Sequence, residues 1–182
     1  GFFGLPADPL GSRHVFHEHL TGHDLSDAII ISPDMGQAKS AARFAQSLNL
    51  PVAAGNKERI SDTEVHISGL VGNQVRGHKK ALVYDDEIAT GGSILELSRV
   101  LIEQGVEDIL VMCTHGVFTR GGLDRLAAVP EISEIVTTDT VYTPPEERHP
   151  KLKVLSVAST FAQAIEHNFH RESIGDLFVY GE

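Results

Sequence analysis

One short segment, residues 85–93, concentrates residue types that together could bind a phosphorylated sugar. It reads Asp-Asp-Glu-Ile-Ala-Thr-Gly-Gly-Ser and follows an apolar run. The paired glycines allow a tight turn and a close approach of the backbone to a ligand, and the neighbouring Thr and Ser supply hydroxyl donors. A helix predicted to begin near Ile94 directs its backbone N–H groups and the positive end of its dipole into the same turn, which favours a phosphate monoester.

The two aspartates that open this segment suit another part of the same ligand. Asp85 and Asp86 can accept hydrogen bonds from vicinal hydroxyls, or hold Mg²⁺ directly or through water. A simpler alternative is a strand–turn–helix connection in which Ser93 caps the helix and both aspartates are solvated. The ordered combination of apolar strand, paired acids, Thr-Gly-Gly-Ser and helix favours the binding site.

The rest of the chain alternates between apolar runs and stretches with helical periodicity. The apolar runs are continuous, which is typical of parallel strands covered on both faces. This alternation predicts right-handed βαβ units in an open, mainly parallel α/β sheet with helices on both faces, formed by one domain over residues 1–182. The predicted strands are 28–32, 52–54, 81–84, 109–113, 135–138 and 154–157, and the predicted helices are 37–48, 93–104, 123–129 and 159–170.

Three further stretches complete the predicted layout. Residues 64–68 alternate in polarity and indicate an edge strand or antiparallel ribbon, whereas residues 55–63 and 140–151 are predicted loops. In open α/β sheets, ligands bind beyond the carboxyl ends of the strands. Residues that follow a strand, such as Asp34 and Asp85, are therefore the candidates for chemistry.

Composition limits the class and partners of the chain. Its 182 residues and 41% hydrophobic content suit one domain with a substantial core, and its formal net charge of −10 argues against a general nucleic-acid binder. No apolar run reaches the roughly 18–20 residues that span a bilayer. The lone cysteine, Cys113, excludes an internal disulfide and favours a reducing, cytoplasmic setting. The start of the chain has neither an initiator Met nor a signal peptide, and we expect a fragment of something longer.

Segment 85–93 resembles the phosphoribosyl diphosphate (PRPP) motif of type I phosphoribosyltransferases and ribose-phosphate diphosphokinases. Other segments are similar to the diphosphokinases, also called PRPP synthetases, in particular. These are Gly-Phe-Phe-Gly-Leu-Pro-Ala-Asp at 1–8, Ser-Pro-Asp-Met-Gly at 32–36, Asn-Lys-Glu-Arg at 56–59, Thr-His-Gly-Val-Phe at 114–118 and Ser-Ile-Gly-Asp-Leu-Phe at 173–178. The resemblance runs along the whole chain and covers the carboxy-terminal half of such an enzyme.

The resemblance implies a fold, a reaction and a set of site residues. The fold is the type I phosphoribosyltransferase sheet with a flexible catalytic loop, and the reaction transfers diphosphate from Mg-ATP to the 1-hydroxyl of ribose 5-phosphate, giving PRPP and AMP. Lys57 and Arg59 are then the catalytic cations on that loop, and Asp34 holds Mg²⁺. The residues expected to bind ribose 5-phosphate are Asp85, Asp86, Ala89, Thr90, Gly91, Gly92 and Ser93. The implied partners are ribose 5-phosphate, ATP and further copies of the chain, without nucleic acid or membrane.

Two other functions stay open at this level. One is a phosphoribosyltransferase that consumes PRPP, although many transferases carry an acid where this chain has Ala89, and Lys57 and Arg59 would then be surplus. The other is a non-catalytic subunit that binds nucleotide or ribose phosphate and regulates an active enzyme.

Two groups of side chains have more than one interpretation. His14, His17, His19 and His23 could hold a transition metal only if three or four ligands converge, and a solvated helix face is the alternative. His115 follows a predicted strand and could be either structural or ligand-facing. Cys113 ends a predicted buried strand and is expected to pack rather than to react.

Overall fold

The computed structural model describes residue 4 and residues 9–59, 65–71 and 75–178. Most of the Gly-Phe-Phe stretch at the start therefore lies outside the described residues. Within them the strands are β1 (Ala28–Ser32), β2 (Val52–Arg59), β3 (Val65–Val71), β4 (Lys80–Ile88), β5 (Asp108–Gly116), β6 (Ile132–Thr138) and β7 (Leu152–Leu155). The α-helices are α1 (Arg13–Leu20), α2 (Ala38–Leu48), α3 (Gly92–Glu103), α4 (Gly122–Ala127) and α5 (Ala158–His170), with short 3₁₀ turns at Thr119–Gly121, Pro145–Glu147 and Gly175–Phe178.

The strands form a single sheet in the order β3-β2-β1-β4-β5-β6-β7. Every neighbouring pair is parallel except β2 and β3, which are antiparallel. This arrangement confirms the predicted open, mainly parallel α/β sheet. The chain runs outward from β1 in one direction and from β4 in the other, so a topological switch point lies between these two strands.

A hydrophobic core lies on each face of the sheet. Leu97 of α3 and Leu126 of α4 pack on one face, and Phe16 of α1 and Phe44 of α2 pack on the other. Successive residues of a strand point to opposite faces, so a strand covered on both sides is apolar throughout. The fully buried β1 shows this directly, and it explains why continuous apolar runs located the strands.

The prediction of a loop over residues 55–63 is wrong for residues 55–59. Residues 55–59 continue β2 and pair with β3, with Lys57 opposite Ile67 and Arg59 opposite Val65. The antiparallel partner satisfies the backbone of a stretch whose own composition does not indicate a strand. Residues 60–63 and Glu64 lie outside the described residues, while the predicted ribbon over the following residues is confirmed by β3.

Several other elements differ from the sequence-based prediction. β5 and β6 are longer than predicted, β7 begins and ends two residues earlier, and β4 and α1 differ as well. β4 continues to Ile88, four residues beyond the predicted end, because its parallel pairing with β5 extends to Ile88 and Gly116. α1 was not predicted as a helix, since its pattern is weak and its inward face consists of Val15, Phe16 and Leu20. Among the helices of the described residues, none combines the length and apolar character that crossing a bilayer requires.

Candidate functional site

Three aspartates are brought together at the switch point between β1 and β4. Asp34 follows the end of β1, and Asp85 and Asp86 lie near the end of β4, its parallel neighbour. Gln37, the residue before α2, connects them: its backbone N–H donates to Asp34 Oδ1 at 3.1 Å and its side-chain amide donates to Asp86 Oδ2 at 2.7 Å. Residues from separate parts of the sequence therefore face one crevice.

The same crevice contains the Thr-Gly-Gly-Ser turn. A cavity of about 270 Å³ opens there. Its lining consists of Asp34, Asp85, Asp86, Glu87, Ile88, Ala89, Thr90, Gly91, Gly92, Ser93 and Ile94. Except for Lys57 and Arg59, every residue proposed from sequence for the site lines this one cavity.

Burial changes the acid–base behaviour of Asp85. Loss of solvent raises the pKa of its carboxyl to about 7, and the charges of Asp86 and Asp34 act in the same direction. The Asp86 backbone N–H, which donates to Asp85 Oδ1 at 2.9 Å, lowers this pKa and only partly opposes burial. Bringing a cation into the cavity would favour the ionised form of Asp85, so the electrostatics suit a metal or a cationic side chain.

The turn after β4 places the first turn of α3 at the cavity. Gly91 precedes α3 with a left-handed φ of 76°, which glycine adopts without steric cost. A Cβ there would also lie 3.2 Å from Leu126 of α4. The alternative in which Ser93 caps the helix is wrong, because Gly91 occupies the cap and Ser93 lies inside the helix. Backbone N–H groups of this first turn, and the hydroxyls of Thr90 and Ser93, can therefore serve an anion.

Helix α4 supports this turn from behind, a role that sequence reasoning missed. A Cβ on Gly122 would lie 2.9 Å from the Thr90 carbonyl oxygen, so the two backbones touch. Arg125 Nη2 donates a short hydrogen bond to the same carbonyl. The signal available in the sequence was the second glycine pair, Gly121-Gly122, but its partner is far away along the chain.

For Lys57 and Arg59 the structure describes the position of the backbone only. The pairing of β2 with β1 ends at Ala54 and Ser32, and β2 then continues toward Arg59 beyond that carboxyl edge of the sheet. Asp34 leaves the sheet at the same edge. The side chains of Lys57 and Arg59 lie outside what the structure describes, so their assignment stays a prediction.

The structure also shows the contacts of the histidines and of the cysteine that were considered from the sequence. His115 lies in β5 at the register position opposite Glu87, and its Nδ1 is 2.8 Å from Thr140 Oγ1. Cys113 is buried, and loss of solvent raises the pKa of its thiol to about 12, which agrees with the expected packing role. His14 contacts Thr160 at 2.6 Å, whereas His19 and His23 both approach Glu134.

Comparison with known proteins finds similarity along most of the chain. Residues 64–179 match the model of the phosphoribosyl synthetase-associated domain. A Streptomyces coelicolor protein, whose name marks it as a candidate ribose-phosphate pyrophosphokinase, is 43% identical over 178 residues, which are 98% of this chain and 56% of that protein. The crystal structure of phosphoribosylpyrophosphate synthetase from Mycobacterium smegmatis has a TM-score of 0.81 and 31% identity, over 93% of this chain and 54% of that one. The chain thus spans about half the length of these relatives.

A more distant structure extends the comparison of the fold. Adenine phosphoribosyltransferase from Thermoanaerobacter pseudethanolicus has a TM-score of 0.50 at 18% identity, over 69% of this chain and 76% of that one. At that identity the similarity concerns the fold alone. Together with the M. smegmatis structure, it confirms the predicted phosphoribosyltransferase-like α/β class.

Proposed function

Because this chain belongs to the family of phosphoribosyl synthetase-associated domains, we propose that it is the ribose-phosphate-binding half of a ribose-phosphate diphosphokinase. The proposed reaction transfers a diphosphoryl group from ATP to the 1-hydroxyl of ribose 5-phosphate and yields PRPP and AMP. One observation carries the proposal: three carboxylates and a glycine-rich helix start line the same cavity. That combination offers separate partners to the hydroxyl side and the phosphate side of one small ligand.

The phosphate side of the ligand is assigned to the turn between β4 and α3. There the hydroxyls of Thr90 and Ser93 and the backbone N–H groups around Gly92 would bind the 5-phosphate. These donors suit an anion, and the positive end of the α3 dipole adds to the attraction. The support from Gly122 and Arg125 holds the turn in place before the ligand arrives, which lowers the entropic cost of binding.

The sugar side of the ligand is assigned to the carboxylates. Asp85 and Asp86 would accept hydrogen bonds from the ribose hydroxyls, and Asp34 faces the same space. Three carboxylates are hard oxygen donors of the kind that Mg²⁺ prefers, so the residues present fit this cation. When bound, Mg²⁺ would supply positive charge beside the phosphoryl oxygens of ATP.

Lys57 and Arg59 are proposed to act on the transferred group. In the displacement, the 1-hydroxyl oxygen forms a bond to the β-phosphorus and the hydroxyl proton is released. The bond from that phosphorus to the bridging oxygen breaks, and its electron pair leaves on the phosphate oxygen of AMP. Negative charge then redistributes over the phosphoryl oxygens, and cationic side chains stabilise it. The extension of β2 past the carboxyl edge of β1 supports a location near the cavity.

A second candidate is a non-catalytic subunit that binds ribose phosphate and associates with an active synthetase. The observation in its favour is that the chain spans only about half the length of its relatives. In both cases the cavity binds ribose 5-phosphate. The two functions differ in whether the protein turns over substrate and in the subunits with which it assembles. For the enzyme we propose a homo-oligomer.

The test combines binding with turnover. Calorimetry in Mg²⁺ compares ribose 5-phosphate with ribose, and we expect only the phosphorylated sugar to bind in the micromolar to millimolar range. Phosphorus NMR of the chain with ATP, Mg²⁺ and ribose 5-phosphate then follows the products. Equal formation of AMP and PRPP establishes the diphosphokinase, whereas binding without turnover fits both a ribose-phosphate-binding half and the associated subunit. A change in the activity of an active synthetase when the chain is added then supports the associated subunit. Failure to bind ribose 5-phosphate rejects both.

A further inference from the structure

We propose that His19, His23 and Glu134 form a binding site for one divalent transition-metal cation, with Zn²⁺ as the reference ion. This site is separate from the carboxylate cavity, since it joins α1 to β6 and the cavity lies at β1 and β4. It does not depend on the proposed function. One ligand atom from each residue lies within 4.8 Å of the others.

The distances between the ligand atoms fit a small tetrahedral ion. His19 Nε2 is 3.2 Å and His23 Nε2 is 3.3 Å from the same oxygen, Glu134 Oε2. Zinc bonds to His nitrogen and carboxylate oxygen are about 2.0–2.2 Å long, so neighbouring ligands of a tetrahedral ion lie about 3.3–3.5 Å apart. These two separations approximate that edge length, and the ligand atoms of the two histidines lie within 4.8 Å of each other.

The tautomer of His23 argues for a cation between these atoms. His23 Nδ1 lies 3.2 Å from the carbonyl oxygen of His19. A carbonyl oxygen only accepts, so Nδ1 carries the proton, and the Nε2 of a neutral imidazole then presents a lone pair. That lone pair faces a carboxylate oxygen, an acceptor. A metal ion between Nε2 and Glu134 satisfies both, and hydrogen bonding of the remote ring nitrogen to a backbone carbonyl is the usual way to orient a metal-binding histidine.

The fold prepares this geometry from two elements. His19 lies in the last turn of α1 and His23 four residues later, with ring centroids 5.0 Å apart. The pairing of β5 with β6 contains a register shift. Ile109 of β5 pairs with Ile132, but the next residue, Leu110, pairs with Glu134. The extra residue, Ser133, changes the alternation, so that Glu134 shares a face with Val136, in the core beneath α1.

An alternative account is a cationic His23 paired with Glu134 and no metal. The two accounts differ in whether the three side chains bind a metal ion. Nitrogen and carboxylate donors favour Zn²⁺, Co²⁺ or Ni²⁺ over Mg²⁺, and three protein ligands leave a fourth position for water. The side chains of His19, His23 and Glu134 are 17%, 29% and 17% exposed, so an ion can enter from solvent. A bound ion would link the end of α1 to β6.

The experiment measures metal binding in excess Mg²⁺, which is added to compete for the carboxylates of the cavity. Calorimetry with Zn²⁺ compares the wild type with His23→Ala and Glu134→Gln, and the matched control is His170→Ala, an exposed histidine at the end of α5. We expect one Zn²⁺ per wild-type chain, an affinity reduced more than about tenfold in the two site variants, and no change in the control. Thermal unfolding without metal verifies that each variant is folded.

A second measurement keeps the proposal falsifiable if a variant does not fold. Co²⁺ bound to the wild-type chain is expected to show the intense visible absorption of a four-coordinate ion with nitrogen ligands. A weak six-coordinate spectrum would overturn the proposal, because it indicates oxygen donors such as the aspartates. Equal Zn²⁺ affinity in all folded variants, or no binding to the wild type at micromolar concentrations, would overturn it as well.

Discussion

The side-chain amide of Gln37 donates to Asp86 across 2.7 Å and so joins the start of α2 to the end of β4. The backbone N–H of the same residue donates to Asp34 at 3.1 Å. One residue therefore holds two of the three carboxylates that line the cavity. Because an amide carries no charge, it orients Asp86 without neutralising it, and the carboxylates keep their attraction for a cation.

Replacement of this amide is expected to weaken ligand binding without unfolding the protein. In Gln37→Ala the backbone bond to Asp34 remains and only the orientation of Asp86 is lost. The affinity for ribose 5-phosphate in Mg²⁺ is predicted to fall by about three- to thirtyfold, a range typical of a lost polar contact. Calorimetry measures it, with Gln104→Ala at the end of α3 as the matched control. Equal affinity of Gln37→Ala and wild type would remove Gln37 from the site.

Asp85→Asn is expected to stabilise the free protein while it weakens binding. Burial raises the pKa of Asp85 to about 7, above its unfolded value near 3.8. Between these two pH values the folded state binds the extra proton, so this carboxyl lowers wild-type stability as pH rises from about 4 to about 7. The neutral amide avoids that cost. We expect Asp85→Asn to be more stable by about 1–3 kcal/mol at pH 8.5, with the difference vanishing near pH 4.

Urea unfolding without Mg²⁺ at both pH values measures this difference. Asp27→Asn is the control, since it makes the same substitution before β1, at the opposite edge of the sheet. Calorimetry with ribose 5-phosphate should show weaker binding only for Asp85→Asn. A stability difference that does not change with pH would contradict the role assigned to burial.

Gly122→Ala is predicted to displace the turn between β4 and α3, which is proposed to bind phosphate. The added methyl would lie 2.9 Å from the Thr90 carbonyl oxygen, closer than a Cβ and an oxygen approach in folded proteins. We expect a loss of about 1–3 kcal/mol in the free energy of unfolding, which is typical of overpacking. The affinity for ribose 5-phosphate should fall as well. Gly11→Ala is the control, because its Cβ would meet no atom of the described residues within 4 Å. Wild-type affinity in Gly122→Ala would show that the turn tolerates the displacement.

Lys57→Ala is predicted to separate binding from turnover. If the side chain acts only on the transferred group, the affinity of this chain for ribose 5-phosphate stays unchanged. In the complete enzyme, turnover should fall by about a hundredfold or more, as expected for a group that stabilises charge in the transition state. Lys153→Ala, in β7, is the control. An equal loss of affinity and turnover would contradict the proposed role of Lys57.

Much of the fold could be predicted because its signals are local. Strands covered on both faces are apolar throughout, so β1 was predicted with its observed bounds. The amphipathic pattern of α2 placed that helix to within one residue. The segment from Asp85 to Ser93 is contiguous, and the residues of a turn that binds an anion must be neighbours in the chain.

Pairing between distant segments could not be predicted in the same way. The extension of β2 to Arg59 depends on β3, and the extension of β4 to Ile88 depends on β5. α1 forms although its own pattern is weak, since Phe16 and Leu20 gain burial against the sheet. In each case the stabilising partner lies elsewhere in the sequence.

The sequence by itself determined the sheet class, the position of the glycine-rich turn and the types of residue in the cavity, because each depends on local periodicity or on adjacent residues. Only the tertiary structure decided which distant residues meet. Gln37 reaches Asp86, Gly122 touches Thr90, and Glu134 joins His19 and His23. These contacts follow from strand order and from a register shift in β6, which are set by the packing of the whole domain and leave no local pattern.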